Sequence, residues 1–115
     1  MQREPAVPAV GAEEAARRVD EGAVLLDVRE PDEWSAGHAP DAVHVPLAAL
    51  AASVDELDKD RPIVAVCRVG GRSERAASVL LQRGYDAVNL AGGMQAWQAA
   101  GMPIVTETGD AGRVV

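Results

Sequence analysis

Apolar residues along this sequence follow two alternating patterns. Strand-like apolar runs occupy residues 6–10, 23–28, 42–46, 61–67 and 87–92, and helical patterns occupy residues 12–19, 32–35, 47–57, 73–84 and 93–101. In the first helical segment, Ala12, Ala15 and Val19 are spaced so that they share one helix face. The alternation of strand and helix predicts an α/β domain with right-handed crossovers.

Two of the predicted strands, 23–28 and 63–66, are apolar at nearly every position. That pattern is typical of strands buried on both faces of a parallel sheet. Pro8 within 6–10 and Pro5 just before it favour a position at the sheet edge for that strand. We therefore predict a three-layer α/β/α fold around a mostly parallel central sheet.

Length and composition are those of one globular domain. The 115 residues are 48% hydrophobic and 25% charged, which is typical of a soluble protein with a single modest core. We place this domain at 1–105. Residues 106–115 lack periodicity, and we expect them to form a flexible tail.

The charge and the cysteine content narrow the functional classes. A net charge of −7 argues against binding to nucleic acid or to an anionic membrane, although Arg68, Arg72 and Arg75 form a local basic cluster. No apolar run approaches the ~20 residues that span a bilayer, and one cysteine cannot form an internal disulfide. The N-terminal stretch, with its charge pair and two prolines, is unlike a signal peptide. We expect a cytoplasmic protein.

The cysteine, Cys67, ends the strongest predicted strand, at the sheet edge where ligands bind in such folds. A short loop containing Gly70 and Gly71 follows, and a helix is expected to begin near Ser73, which suits its N-cap. Inward-facing loop amides and the helix N-terminus would stabilise negative charge at or just beyond the sulfur.

Activation of the thiol alone explains this loop poorly. Lowering a cysteine pKa from ~8.5 to ~6.5 raises the thiolate fraction at neutral pH about 25-fold, but intrinsic nucleophilicity falls about 8-fold, so the net gain is only about 3-fold. A loop that holds an anion attached to Cys67, and then makes this residue a good leaving group, fits better. The alternative is an inert, buried cysteine that acts as a small hydrophobic residue.

Three motifs resemble signatures of the rhodanese family. "CRVGGRS" (67–73) matches the sulfurtransferase loop pattern Cys-x-x-Gly-x-Arg-Ser. "LLDVREPDEWSAGHAPDAVHVPL" (25–47) is similar to the N-terminal signature, and "LAGGMQAW" (90–97) is similar to the C-terminal one. The motifs occur in the expected order across 25–97.

The resemblance implies a rhodanese-like fold with a five-stranded sheet, and a sulfur-transfer mechanism. Cys67 would attack the sulfane sulfur of a small anionic donor such as thiosulfate, and sulfite would leave. The resulting persulfide would be cradled by backbone N–H groups of residues 68–73 and discharged to cyanide, a thiol or a protein. The resemblance implies neither a metal nor an organic cofactor.

The residues assigned to the site follow from these motifs. Cys67 is the expected nucleophile. The expected substrate-binding residues are Arg68, Val69, Gly70, Gly71, Arg72, Ser73 and Arg29.

The three arginines admit alternative roles. Arg68 would recruit an anionic donor or be a solvated loop residue. Arg72 is expected to be mainly structural, because its planar fork can tie the loop to a carboxylate. For Arg29, which ends the second strand, the family places the matching arginine toward the pocket, but an ion pair with Glu33 or Asp32 is an equal alternative.

Two positions depart from the family pattern. Val69 stands where some thiosulfate-using members carry lysine, so thiosulfate need not be the physiological donor. Asp41 stands where the family usually has glycine, which concerns a turn and not the chemistry.

Other polar and aromatic residues are interpreted as structural. Asp27 and His38 are expected to form hydrogen bonds in the turn, with a Cys–His catalytic pair as the alternative for His38. His44 is expected to be structural, and Trp34 and Trp97 to be packing anchors. Two histidines and one cysteine show no recognisable zinc spacing.

Two rival functions remain open. The first is a cysteine phosphatase or arsenate reductase, whose Cys and Arg are spaced by five residues, whereas Cys67 and Arg72 are separated by four. The second is a non-catalytic interaction module, although many inactive rhodanese domains lack the cysteine that this chain keeps.

Overall fold

Five strands and five helices alternate along residues 6–115, the part of the chain that this computed structural model describes. They are β1 (Ala9–Val10), α1 (Ala12–Asp20), β2 (Val24–Asp27), α2 (Pro31–Ala36), β3 (Val43–His44), α3 (Leu47–Ser53), β4 (Ile63–Val66), α4 (Gly71–Gln82), β5 (Ala87–Leu90) and α5 (Gly93–Ala99). A 3-10 turn at Val54–Glu56 extends α3. All the elements predicted from the sequence patterns are present.

The strands form one parallel sheet in the order β1-β5-β4-β2-β3. β4 lies between β5 and β2, and all four of its residues are buried, which is why its sequence is apolar throughout. β1 lies at one edge, as its neighbouring prolines predicted.

A separate hydrophobic core fills each face of the sheet. The core beneath α3 and α4 includes Leu26, Leu50, Ile63, Ala65 and Leu80. The core beneath α1 and α5 includes Ala15, Leu25, Val64, Val66 and Met94. Successive strand residues point to opposite faces, so alternate residues of β2 and β4 enter different cores. The predicted three-layer α/β/α fold is therefore confirmed.

The start of α4 differs from the prediction. The helix begins at Gly71 and its N-cap is Gly70, so Ser73 lies inside the first turn and is not the cap. Ser73 is fully buried. Its hydroxyl is therefore available to other partners, which are described below.

Residues 106–115, which we expected to form a flexible tail, have defined contacts with α2. The Arg113 N–H donates to Ala36 O at 2.9 Å, and the Trp34 indole N–H donates to the Glu107 carboxylate at 2.6 Å. These bonds connect the segment to Trp34 and Ala36, in the last turn of α2. Its mobility stays a prediction.

The helices of residues 6–115 are all too short or too polar to cross a lipid bilayer.

We predict that Asp41→Gly stabilises the protein. Asp41 is the one non-glycine residue with positive φ, 64°, among residues 6–115. An L side chain is disfavoured in that conformation, so glycine should raise the free energy of unfolding by about 0.5–1 kcal/mol after its own entropic cost. Urea unfolding measures the change. The control is Asp32→Gly, at an exposed position of α2, which should lower the free energy of unfolding by a similar amount. Equal losses of stability in both variants would contradict the prediction.

Candidate active site

Cys67 directly follows β4 and lies at the carboxyl edge of the sheet, as predicted. Residues 68–70 connect it to the start of α4. Gly70 has a φ of 118°, a left-handed conformation that glycine adopts without steric cost, and this brings its own N–H back toward the cysteine. The loop is thus a short reversal that closes over residue 67.

The Cys67 sulfur is surrounded by hydrogen-bond donors. The Gly70 N–H donates to Sγ at 3.1 Å, and the Ser73 hydroxyl lies 3.3 Å from Sγ. Burial raises the pKa of the Cys67 thiol, but the Ser73 hydroxyl and the N–H groups of Ser73, Gly70 and Val69 outweigh burial, so the pKa lies below its ordinary value. The sulfur is therefore placed to carry negative charge.

Burial of this cysteine does not make it an ordinary core residue. The Cys67 side chain is only 1% exposed and packs in the core beneath α4. A purely apolar environment would raise the thiol pKa, whereas the loop donors lower it here. The exposed part of the loop is its tip, Arg68 and Val69, with Val69 54% exposed.

The N-terminus of α5 holds the first half of the loop from behind. The Met94 N–H donates to Cys67 O at 2.7 Å, and the Gln95 N–H donates to Arg68 O at 3.1 Å. Gly93 packs so closely that a Cβ there would collide with Cys67 O and with the Arg68 carbonyl group. This contact explains the second glycine of the pair in the third motif, "LAGGMQAW", whereas the first, Gly92, has a φ of 79° and lies too close to Ala96 to carry a side chain.

Ser73 is part of a buried polar cluster that sequence analysis missed. Its Oγ lies 2.6 Å from Asn89 Oδ1 and 3.3 Å from Gly70 O, in addition to the contact with Sγ. The Asn89 side-chain amide donates to Gly70 O at 3.1 Å. Asn89 comes from β5, where it is 5% exposed. The available signal was one amide residue in an otherwise apolar strand, "AVNL".

Arg72 ties the loop to α2 through a carboxylate, the kind of partner that its planar fork was expected to have. Its Nη1 and Nη2 donate to Glu33 Oε1 and Oε2 at 2.6 and 2.9 Å, a two-pronged, charge-assisted contact. The hydrogen bond from Arg72 is the main reason that the pKa of Glu33 falls from 4.5 to about 2. The same contact raises the pKa of Arg72.

Arg29 is placed differently from the expectation of a substrate contact. Its side chain is fully buried, with Nε and Nη2 donating to the Asp27 carboxylate at 2.7–3.1 Å. Further donation to Glu33 O at 3.3 Å and Gly37 O at 2.8 Å connects the end of β2 with α2 and with the residue that follows α2. Arg29 thus pairs with Asp27, not with Glu33 or Asp32, and its contacts are structural.

The two histidines lie in a stack with Trp34. The His38 ring lies 3.6 Å from the Trp34 ring and the His44 ring lies 4.7 Å from it, both nearly parallel. His38 Nδ1 is bonded to Trp34 O, and His44 Nε2 is bonded to Arg29 O. Among the contacts of residues 6–115, no hydrogen bond joins a histidine to Cys67, so the structure gives no support to a Cys–His pair. Nor do the described residues group three His, Cys, Asp or Glu in an arrangement that could hold a metal ion.

Comparison with known proteins identifies a family and individual proteins to which this chain is similar. The model of the rhodanese-like domain family matches residues 11–100. A "Sulfurtransferase" from Allochromatium vinosum is 42% identical over 90 residues, which cover 77% of this chain and 84% of the relative. "Putative sulfurtransferase YtwF" from Bacillus subtilis is 39% identical over 84 residues, or 73% of this chain and 82% of the relative.

Solved structures show the same fold. A rhodanese-related protein from Thermoplasma volcanium superposes with a TM-score of 0.82 at 30% identity, covering 87% of this chain and 99% of that one. A thiosulfate sulfurtransferase from Pseudomonas aeruginosa gives a TM-score of 0.79 at 30% identity, and the match covers 95% of this chain but 22% of that one.

We predict that Ser73→Ala raises the pKa of Cys67, because it removes the hydroxyl that donates to the thiolate. The rate of alkylation by iodoacetamide follows the thiolate fraction. The midpoint of its pH profile should therefore lie at higher pH in Ser73→Ala than in the wild type. Ser35→Ala, at an exposed position of α2, is the control and should leave the profile unchanged. An identical midpoint in Ser73→Ala and the wild type would refute the role of this hydroxyl.

We also predict that Glu33→Gln weakens the attachment of the loop in a pH-dependent manner. The pKa of Glu33 is lowered on folding, so its contribution to stability is present above the unfolded value of 4.5 and is lost as pH falls toward about 2. Because the Arg72 side chain is 34% exposed, solvent screening reduces the contribution to about 1 kcal/mol.

Urea unfolding of both proteins at neutral pH and at about pH 3 measures this linkage. The wild type should be the more stable at neutral pH, and the difference should shrink in acid. Asp32→Asn, a neighbouring exposed carboxylate, is the matched control. A difference that stays constant with pH would show that the ion pair is not its source.

Proposed function

The chain belongs to the rhodanese-like family of sulfurtransferases, and from this premise we propose that Cys67 carries the transferred sulfur as a persulfide. The observation that supports this most directly is the geometry around the buried Cys67 sulfur, where the Gly70 N–H donates at 3.1 Å and the Ser73 hydroxyl lies at 3.3 Å. A cysteine with such surroundings can accept a sulfur atom as a nucleophile and release it as a leaving group.

In the proposed first step, the Cys67 thiolate attacks the sulfane sulfur of the donor. A bond forms between Sγ and that sulfur, and the bond between the sulfane sulfur and the rest of the donor breaks. With thiosulfate, the electron pair of the broken bond leaves with sulfite. The negative charge then lies on the outer sulfur of the persulfide.

In the proposed second step, an acceptor such as cyanide or a thiol attacks the outer sulfur. The bond to Sγ breaks, and its electron pair returns to Cys67 as a thiolate. The Gly70 N–H already donates to Sγ at 3.1 Å, so little reorganisation is required as this charge develops. Main-chain donors are effective here because they are held in position by the fold.

The tip of the loop suits an anionic donor. Arg68 is exposed there, in a chain whose net charge is −7, and we propose that it attracts small sulfur-containing anions to the loop. Val69 adds no second positive charge. We therefore keep both thiosulfate and a persulfide as donors, and cyanide, a thiol or a protein as acceptors.

The structure favours sulfur transfer over phosphate hydrolysis. Both terminal nitrogens of Arg72 donate to Glu33, and this carboxylate offsets the positive charge that an arginine would offer to a phosphate oxyanion. The Cys67 sulfur also has its donors close at hand, with Gly70 N at 3.1 Å, which suits one additional atom better than a tetrahedral group.

The test is to incubate the protein with thiosulfate and record its intact mass. We expect a gain of one sulfur atom that cyanide then removes, and no gain with Cys67→Ser, because the sulfur forms its bond to Sγ. A parallel incubation with a low-molecular-weight persulfide distinguishes the donors. Failure to load sulfur from either donor would contradict the proposal, and hydrolysis of an aryl phosphate without loading would favour the phosphatase alternative.

A further inference from the structure

Asn89 has a single orientation in the buried cluster behind the loop. Its Nδ2 lies 3.1 Å from Gly70 O, which can only accept a hydrogen bond. Rotating the amide by half a turn would set Asn89 Oδ1 against Gly70 O, two acceptors without a proton between them. The carbonyl of Gly70 therefore directs Asn89 Oδ1 toward Ser73.

The Ser73 hydroxyl consequently faces more acceptors than it can serve. Its one proton can go to Asn89 Oδ1 at 2.6 Å, to Gly70 O at 3.3 Å or to Cys67 Sγ at 3.3 Å. The shortest of these contacts is the one to Asn89. Ser73 is fully buried and Asn89 is 5% exposed, so competition from water is small.

The charge on the sulfur decides between these acceptors. When Sγ is neutral, the contact to Asn89 is the better one, because it is short and its acceptor is a carbonyl oxygen. When Sγ is a thiolate, a charge-assisted bond from the hydroxyl becomes the stronger interaction. Rotation about one side-chain bond moves the proton between these positions, and no covalent bond is broken.

We propose that Asn89 is a positioning residue that turns the Ser73 hydroxyl away from a neutral Cys67 sulfur and releases it when charge returns there. In the cycle proposed above, on which this inference rests, the hydroxyl faces Sγ in the thiolate before attack. It faces Asn89 while the sulfur is neutral in the persulfide. It returns to Sγ as the acceptor removes the outer sulfur.

This arrangement affects the two half-reactions in opposite directions. Asn89 competes for the hydroxyl, so the Cys67 thiolate is less stabilised than it would be without Asn89. The thiolate therefore keeps more of its nucleophilicity during loading. Removal of the competitor would stabilise the thiolate. It would then attack more slowly and leave more readily.

The first test is the pH profile of iodoacetamide alkylation for Asn89→Leu in protein that carries no added sulfur. The freed hydroxyl should stabilise the thiolate, so the midpoint should shift to lower pH and the thiolate fraction below the midpoint should rise about three- to tenfold. Val88→Ala, on the same strand but without a polar contact to the loop, is the control for packing. A midpoint equal to or above that of the wild type would overturn the proposal.

Two further variants separate positioning from general damage. The shift caused by Asn89→Leu should vanish in a Ser73→Ala background, because no hydroxyl is left to redirect. A shift that persists there would overturn the proposal. Asn89→Asp keeps an acceptor and adds charge near the thiolate, so its midpoint should rise. If Asn89→Leu does not fold, an alkylation midpoint in Asn89→Asp that falls or equals that of the wild type would overturn the proposal.

Single-turnover kinetics provides a signature that a damaged loop would not show. We expect Asn89→Leu to load sulfur from thiosulfate more slowly than the wild type when the rate is divided by the fraction of Cys67 present as thiolate. We expect it to discharge that sulfur to cyanide faster than the wild type. Slowing of both steps would indicate structural damage and would overturn the proposal. A wild type that fails to load sulfur would refute the proposed function. Alkylation does not require sulfur transfer, so the alkylation profiles test the role of Asn89 separately.

Discussion

The stabilisation of negative charge on a buried sulfur is the interaction around which this structure is arranged. Burial alone would disfavour the thiolate of Cys67, and the loop offsets that cost with hydrogen bonds from Gly70, Ser73 and Val69. Such donors act only at hydrogen-bond distance, so the path of a few main-chain atoms has to be held closely. The contacts around the loop are explained by this geometric requirement.

Three elements hold the loop, each from a different direction. The N-terminus of α5 binds the carbonyls of Cys67 and Arg68 through main-chain amides. α2 contributes Glu33, which receives the guanidinium of Arg72. β5 contributes Asn89, which binds the carbonyl of Gly70. Because these supports do not involve the sulfur itself, they hold the main chain of the loop in place, and with it the Gly70 N–H that donates to Sγ.

Parts of the site were predictable because they depend on residues close together in the chain. Cys67 at the end of an apolar run, followed by glycines, predicted a loop at the carboxyl edge of the sheet. The fork of Arg72 predicted a carboxylate partner without identifying it. The N-cap assigned to Ser73 was wrong, because Gly70 in a left-handed conformation begins α4 earlier and directs Ser73 inward. The ion-pair partners considered for Arg29, Glu33 and Asp32, were also wrong, because Asp27, two residues earlier on the same side of the extended chain, binds the guanidinium.

The sequence by itself determined the order of the elements, the burial of the central strands on both faces and the position of Cys67 at the carboxyl end of the central strand. These properties follow from periodicity and from neighbouring residues. Only the tertiary structure decided the partners of Arg72 and Ser73. β5 and β2 flank β4, and this strand order brings Asn89 and the helix after β2 to the loop from distant parts of the chain. Hydrogen bonds between such groups depend on distances of a few tenths of an ångström, and no local pattern of residues encodes them.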